Sequence, residues 1–190
     1  MHEVREAAWQ HMSVVGGAAA IMRGVWNAEA ALADGDLATA RRWANEAVST
    51  TTGWFSALAL TIRARMAIAQ GEPERAERDL HDALACAAGI KAHLSVPDIL
   101  ECLAVLAGEA GSHREAARLF GAAEAVRLRI GTVRFKIYDA DYEASVAVVR
   151  NALGDEDFQS ALSEGAALST QEAIAYAQRG RGERKRPTSG

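Results

Sequence analysis

Three glycine turns recur along the chain with the same small residues around them, and this recurrence restricts the possible folds more than any other feature. The turns begin at Gly35, Gly71 and Gly111, which are 36 and then 40 residues apart. Alanine recurs seven and four residues before each glycine and five and twelve residues after it, at Ala28, Ala31, Ala40 and Ala47, at Ala64, Ala67, Ala76 and Ala83, and at Ala104, Ala107, Ala116 and Ala123. Small residues at helical spacing on both sides of a turn let two antiparallel helices approach closely. The pattern predicts a row of stacked helical hairpins.

The scarcity of proline supports helix throughout. The chain of 190 residues contains only 3 prolines, and Pro73 and Pro97 fall where helices should start, which is the position that tolerates proline. We place the inner helices of the hairpins at about 18–33, 54–70 and 96–110, and the outer helices at about 37–51, 73–88 and 112–129. The sequence therefore predicts an all-α fold.

These hairpins resemble the tetratricopeptide repeat. The small residue of the inner helix, the glycine turn, and the two alanines and bulky residue of the outer helix fit the repeat over units at about 18–51, 54–88 and 96–129. The proline that usually ends the outer helix is absent, since Thr52, Ala88 and Leu128 stand there. The resemblance implies a tetratricopeptide-like helical-hairpin superhelix.

After about residue 130 the period stops, and three further helices are predicted near 138–153, 155–166 and 170–179. We expect them to form a C-terminal helical cap at about 138–179, because the last unit of a repeat array must cover its apolar face. Gly154 and Gly165 are predicted to end the first two helices in the left-handed conformation. Ser169 and Glu172 form a predicted capping box. The helical-repeat domain then covers 1–179, and 180–190 is predicted to be a basic flexible linker.

A second resemblance is carried by the stretch from Ala116 to Ala125, followed by Arg129, Ile130 and Gly131. It is similar to the last repeat of large LuxR-type transcriptional regulators, and the similarity continues through Tyr142-Glu143, Ala152-Leu153-Gly154, Phe158, Ala161, Glu164-Gly165, Ala167-Leu168-Ser169 and Glu172-Ala173. In that family a STAND-type ATPase domain precedes the helical repeats and a DNA-binding helix-turn-helix domain follows them. The resemblance implies a sensor or protein-interaction module, with residues 180–190 leading toward a missing DNA-binding domain.

Such a module would bind an effector or partner and control the neighbouring ATPase and DNA-binding domains. One alternative is a free-standing tetratricopeptide scaffold protein, and a more remote one is a helical-bundle enzyme. No phosphate-binding glycine loop is present, and the 5 histidines are scattered. Cys86 and Cys102 lack the partners of a zinc site. We therefore expect no catalytic residues, no cofactor and no metal, and we predict that the chain is not an enzyme.

The concave face of the repeat array is the expected binding surface. Its candidate groove residues occupy the inner-face positions of the inner helices: Met22, Val25, Glu29, Thr61, Arg65, Glu101, Val105 and Glu109. Their mixed apolar and acidic character suits a neutral or basic peptide, another protein domain or a small effector. The alternative is that these carboxylates form a solvated helix face.

Charge and hydropathy narrow the partners and the compartment. With 21 Lys and Arg against 25 Asp and Glu, the net charge of -4 argues against a broad nucleic-acid-binding surface. We expect no direct sequence-specific DNA binding by this fragment. The N-terminal residues do not resemble a signal peptide, and no run approaches the ~18 apolar residues of a membrane span. The sequence predicts no membrane association and a cytoplasmic location.

Overall fold

A computed structural model describes the backbone of residues 16–91 and 93–183, and the side chains of 23–91 and 93–179. The described part of the chain forms nine α-helices and two 3-10 turns, with no strand. The helices are α1 (Gly16–Ala33), α2 (Leu37–Thr50), α3 (Trp54–Ala69), α4 (Pro73–Gly89), α5 (Val96–Glu109), α6 (His113–Ile130), α7 (Asp139–Leu153), α8 (Asp155–Ala166) and α9 (Thr170–Glu183). The 3-10 turns span His93–Ser95 and Lys136–Tyr138. The prediction of an all-α fold is confirmed.

The first six helices pack as three successive hairpins, and each hairpin turns at one of the recurring glycines. Gly35, Gly71 and Gly111 have φ angles of 75°, 68° and 77°, a region that glycine adopts without strain. The backbone amide of the residue after each glycine donates a hydrogen bond to the carbonyl of the alanine that lies four residues before that glycine. The N···O distances are 2.8 to 2.9 Å for Asp36 to Ala31, Glu72 to Ala67 and Ser112 to Ala107. The repeated glycine and alanine thus close each inner helix in the same way.

The recurring alanines lie at the helix contacts. All twelve are buried, which lets the inner helices α1, α3 and α5 pack in a row while each outer helix contacts the inner helix that follows it. The buried residues form two clusters. The smaller one surrounds Val25, Ile62 and Met66 between the first two hairpins, and the larger one extends from α3 to α9 around residues such as Leu100 and Phe120.

The last three helices pack on the third hairpin. Helix α7 contacts α5 and α6, α8 contacts α6, and α9 lies against α4, α5 and α6. The capping box at the start of α9 is present: the Glu172 amide donates to the Ser169 hydroxyl at 3.2 Å, and the Ser169 amide donates to the Glu172 carboxylate at 2.8 Å. Helix α9 continues to Glu183, so residues 180–183 of the predicted linker are helical. Residues 184–190 lie outside the described residues.

One glycine prediction is wrong, and the correction concerns the contact between α6 and α8. Gly154 does have a positive φ of 81° at the end of α7, but Gly165 lies within α8 and is buried. A Cβ atom on Gly165 would lie 1.9 Å from the carbonyl oxygen of Arg118, and one on Gly121 would lie 2.0 Å from the carbonyl oxygen of Leu162. Gly165 is therefore needed for a close backbone approach and not for a left-handed turn.

Candidate binding groove

A groove of about 590 Å³ opens between the inner helices and α7. One wall is formed by the C-terminal ends of α1 and α3, the first residue of α2, and α5 from Glu101 onward. The other wall consists of α7 and the end of the segment 131–138, which we call the α6–α7 loop. Leu32, Leu37, Ile68, Val105 and Phe120 are among its apolar lining residues. The volume falls within the range of sites that bind small molecules.

The predicted groove residues divide between this site and the core. Arg65, Glu101, Val105 and Glu109 line the groove. Glu29 lies beside it and accepts a hydrogen bond from the hydroxyl of Tyr138 at 3.3 Å. Val25 is a core residue that is 1% exposed, and Thr61 is buried with its hydroxyl donating to the Ala57 carbonyl of its own helix at 2.7 Å. The side chain of Met22 lies outside the described residues.

A buried ion-pair cluster forms the floor of the groove. The Glu101 carboxylate accepts hydrogen bonds from Arg127 at 2.6 Å and from Arg134 at 2.7 Å. Arg127 also contacts Asp98 at 3.3 Å. A charge removed from water is stable only when it is paired and hydrogen-bonded. The cluster therefore fixes the α6–α7 loop, which carries Arg134, against α5 and α6.

Two arginines also stack on tyrosine rings. The guanidinium of Arg134 lies 3.5 Å from the ring centre of Tyr142, and that of Arg65 lies 3.8 Å from the ring centre of Tyr138. These are cation–π contacts. Arg65 forms a further ion pair with Asp98 at 3.4 Å. Tyr138 thus joins the loop to α3 through Arg65 and to α1 through Glu29.

Burial shifts the pKa values of several groups in and beside the groove. It raises the pKa of the Tyr138 phenol and of the Glu29 carboxyl above their ordinary values. It also raises the pKa of the Cys102 thiol to about 11, so this groove residue is an uncharged thiol at neutral pH and not a nucleophilic thiolate. In the residues for which side chains are described, no group of three or more His, Cys, Asp or Glu is placed to hold a metal ion.

Four residues that close the groove were not predicted from the sequence: Arg127, Arg134, Tyr138 and Tyr142. Three of them lie beyond the last repeat, where no periodic pattern marks an inner face. A weaker signal was available in the loop, where Val133, Phe135 and Ile137 alternate with polar residues. The structure exposes all three and turns Arg134 inward. Such an alternation indicates an extended segment with one face toward the protein.

Among the helices of the described chain, none combines the length and the apolar character needed to cross a bilayer.

Comparison with known proteins finds relatives among transcriptional regulators. Proteins of Mycobacterium tuberculosis strain H37Rv and of Mycobacterium bovis, each named "putative HTH-type transcriptional regulator", are 60% identical to this chain over 169 residues. The match covers 89% of this chain but only 19% of each relative, so the chain spans about a fifth of the length of these proteins. No family model and no solved structure matches the chain.

Proposed function

We propose that this chain is the sensor or protein-interaction module of a LuxR-type transcriptional regulator, in which it binds an effector or partner and controls the ATPase and DNA-binding domains. The observation that carries this proposal is the 60% identity, over 169 residues, to one segment of proteins named as transcriptional regulators. The groove gives the module a binding surface. Arrays of helical hairpins commonly bind partners on their inner face.

The proposal includes a tetratricopeptide-like superhelix. Its support is local and repeated: each hairpin has a glycine at the same turn position and buried alanines at the same offsets. The inner helices α1, α3 and α5 also pack in chain order. Neighbouring units that pack by one rule generate a regular array.

The mechanism would be a shift between two arrangements of the groove walls. One wall belongs to the inner helices, and the other belongs to the α6–α7 loop and α7. A ligand that contacts both walls binds more tightly to the arrangement in which the distance between the walls matches its size. Binding therefore increases the population of that arrangement. Helices α8 and α9 follow the wall that contains α7 and would transmit the change.

The alternatives are a free-standing tetratricopeptide scaffold and a helical-bundle enzyme. The match to only a fifth of each relative favours a module within a larger regulator over a free-standing scaffold. Binding is favoured over catalysis because arginines neutralise the buried carboxylate Glu101 and the Cys102 thiol stays protonated. We propose that the module acts in the cytoplasm without a cofactor, without a membrane and without direct sequence-specific DNA binding, which its net charge of -4 disfavours.

The test fills the groove in the full-length regulator. Ala144 is an exposed residue of α7 that lines the groove, so Ala144→Trp would place an indole in it. Ala152→Trp is the control, because Ala152 is exposed on the same helix and does not line the groove. Transcription from a promoter that the regulator controls is measured at equal protein levels. We expect Ala144→Trp to change regulated transcription and Ala152→Trp to leave it at the wild-type level; identical transcription in all three proteins would refute the proposal.

A further inference from the structure

The groove lies where three helix C-termini meet. The inner helices α1, α3 and α5 run in the same direction, as successive hairpins require, and the groove is lined by Ala33, Ala69 and Glu109, the last residues of these helices. Each helix C-terminus carries a partial negative charge of about half an elementary charge, owing to its aligned peptide dipoles. The N-termini of α2 and α7, at Leu37 and Asp141, also line the groove and carry the opposite partial charge, so the full charges of the lining decide which ligand it attracts.

Two carboxylates at the mouth of the groove add full negative charges. Glu109 at the end of α5 and Asp141 in the first turn of α7 are both exposed and lie on opposite walls. Among the residues whose side chains are described, none pairs or hydrogen-bonds with either carboxylate. Asp141 gains from the N-terminus of α7, but Glu109 stands at the unfavourable end of its helix dipole. A bound cation would relieve that repulsion.

The other charges of the lining are already compensated. Glu101 is held between Arg127 and Arg134, and Arg134 also contacts Asp139 at 3.5 Å. Arg65 pairs with Asp98 while Tyr138 covers one face of its guanidinium, so three arginines face three carboxylates. Arg65 is thus poorly placed to receive an anionic ligand. The charge left for a ligand to neutralise is negative.

The rest of the lining is apolar and continues beyond the main cavity. A second cavity of about 210 Å³ shares Val105, Glu109, Ala144 and Ser145 with the first and extends to Val148 and Val149 between α5 and α7. A ligand with its positive group between Glu109 and Asp141 could place an apolar chain against Val105 or Val149. Burial of such a chain would strengthen binding, because apolar surface is removed from water.

We infer that the groove binds an amphipathic organic cation, a small molecule with an alkyl- or arylammonium group and an apolar tail. The inference rests on the proposed function, in which this groove is the effector site, and it adds the chemical class of the effector. The volume suits a small molecule better than a folded partner.

The experiment uses the 190-residue chain and two probes with the same tail, octylammonium and octanoate. Their affinities are measured by isothermal titration calorimetry at pH 7 and low salt. We expect octylammonium to bind at least tenfold more tightly than octanoate, because the groove attracts one head group and repels the other. Equal affinities, or tighter binding of octanoate, would overturn the inference.

Matched variants locate the charge. Glu109→Gln with Asp141→Asn removes both groove carboxylates and should weaken octylammonium binding about tenfold, in line with the usual strength of partly exposed ion pairs. Glu143→Gln with Asp157→Asn changes the net charge equally at exposed positions outside the groove and should leave the affinity unchanged. Equal weakening by both pairs would show a general charge effect and contradict the inference.

The binding assay separates this inference from the proposed function. If octylammonium does not bind and Ala144→Trp still alters transcription, the ligand class is wrong and the regulatory role stands. If octylammonium binds selectively and Ala144→Trp leaves transcription unchanged, the site stands and the regulatory role is wrong. Binding of a short lysine-containing peptide without binding of octylammonium would replace the small-molecule site by a peptide site.

Discussion

Among the described side chains, three clusters place one glutamate between two arginines. One of them, Arg41–Glu72–Arg75, joins α2 to the start of α4; of the other two, only one is buried. The buried triad is Arg127–Glu101–Arg134, and the exposed triad is Arg114–Glu164–Arg118. The side chain of Glu101 is 5% exposed, whereas that of Glu164 is 36% exposed. In both triads, each arginine donates a hydrogen bond to the glutamate that it shares with the other arginine.

The difference between the triads shows how solvent determines what a salt bridge contributes. In the exposed triad, water can replace either partner, and α6 and α8 are held together by the close approach at Gly121 and Gly165. In the buried triad, water reaches the charged groups poorly, so it compensates a lost partner less well and the groove floor depends on the pairing. Two arginines and a glutamate therefore add little to stability in the exposed region, whereas the same residue types hold the structure together in the buried one.

The largest effect is expected from Glu101→Ala. This substitution leaves the buried Arg127 and the half-buried Arg134 without their shared partner. Breaking a fully buried pair costs about 3–5 kcal/mol of unfolding free energy, and Asp98 and Asp139, which still contact the two arginines, place the expected loss toward the lower end of that range. Urea denaturation followed by circular dichroism measures the loss. A loss no greater than that of Glu164→Ala would mean that solvent reaches the buried triad and would remove the contrast between the two regions.

The next effect is expected from Gly165→Ala, the neighbour of Glu164. Its added Cβ would meet the Arg118 carbonyl, so α8 must move away from α6, at a cost of about 1–3 kcal/mol or more. Gly89→Ala is the control, because a Cβ on Gly89 meets nothing within 4 Å. The same denaturation measurement should leave this control within about 1 kcal/mol of the wild type. Equal stability of both variants would show that the glycines do not hold this contact.

A smaller effect, with a distinctive pH dependence, is expected from Glu29→Gln, whose carboxylate accepts the hydrogen bond of Tyr138. Burial raises the pKa of Glu29 above its ordinary value of 4.5, so the folded state loses stability as the pH rises through that raised pKa and Glu29 ionises. Glutamine keeps an acceptor for the Tyr138 hydroxyl without the charge. We expect the variant to be at least as stable as the wild type at pH 7, with the advantage shrinking as the pH falls through the raised pKa and disappearing below about 4.5. Thermal unfolding across this pH range tests the sign.

The smallest effect is expected from Glu164→Gln in the exposed triad, and its sign with pH is opposite. The hydrogen bond from Arg118 lowers the pKa of Glu164 below 4.5, so its contribution is present above that value and is lost as the pH falls through the lowered pKa. The small difference between wild type and variant at pH 7 should also vanish in 1 M salt, because exposed charges are screened. A difference that persists in high salt would indicate that this triad is not exposed in solution.

The parts of the fold that could be predicted are those whose geometry depends only on residues close in sequence. The turn at Gly71 could be predicted because its geometry involves only residues from Ala67 onward. The role of Gly165 could not, because it depends on the Arg118 carbonyl of another helix. A glycine that ends a helix and a glycine that lets two helices touch look alike in sequence.

The candidate site divides in the same way. Arg65 and Glu101 could be predicted as groove residues because they occupy repeated positions on inner helices. Arg134 and Tyr138 could not, because they lie on a loop with no repeat period, and only the tertiary fold places them over α3 and α5. The tetratricopeptide-like superhelix remains a prediction.

The hydrogen bond between Tyr138 and Glu29 has a consequence for the order of folding. It joins residues 109 positions apart, whereas the contacts within each hairpin join residues close in sequence, such as Arg63 and Asp79 at a separation of 16. Contacts across long separations form late, since the entropy of closing the intervening chain must first be overcome. The hairpins can therefore form one after another, but the groove exists only after the α6–α7 loop has returned to α1. A ligand of the groove would bind completely folded chains and not partly folded ones.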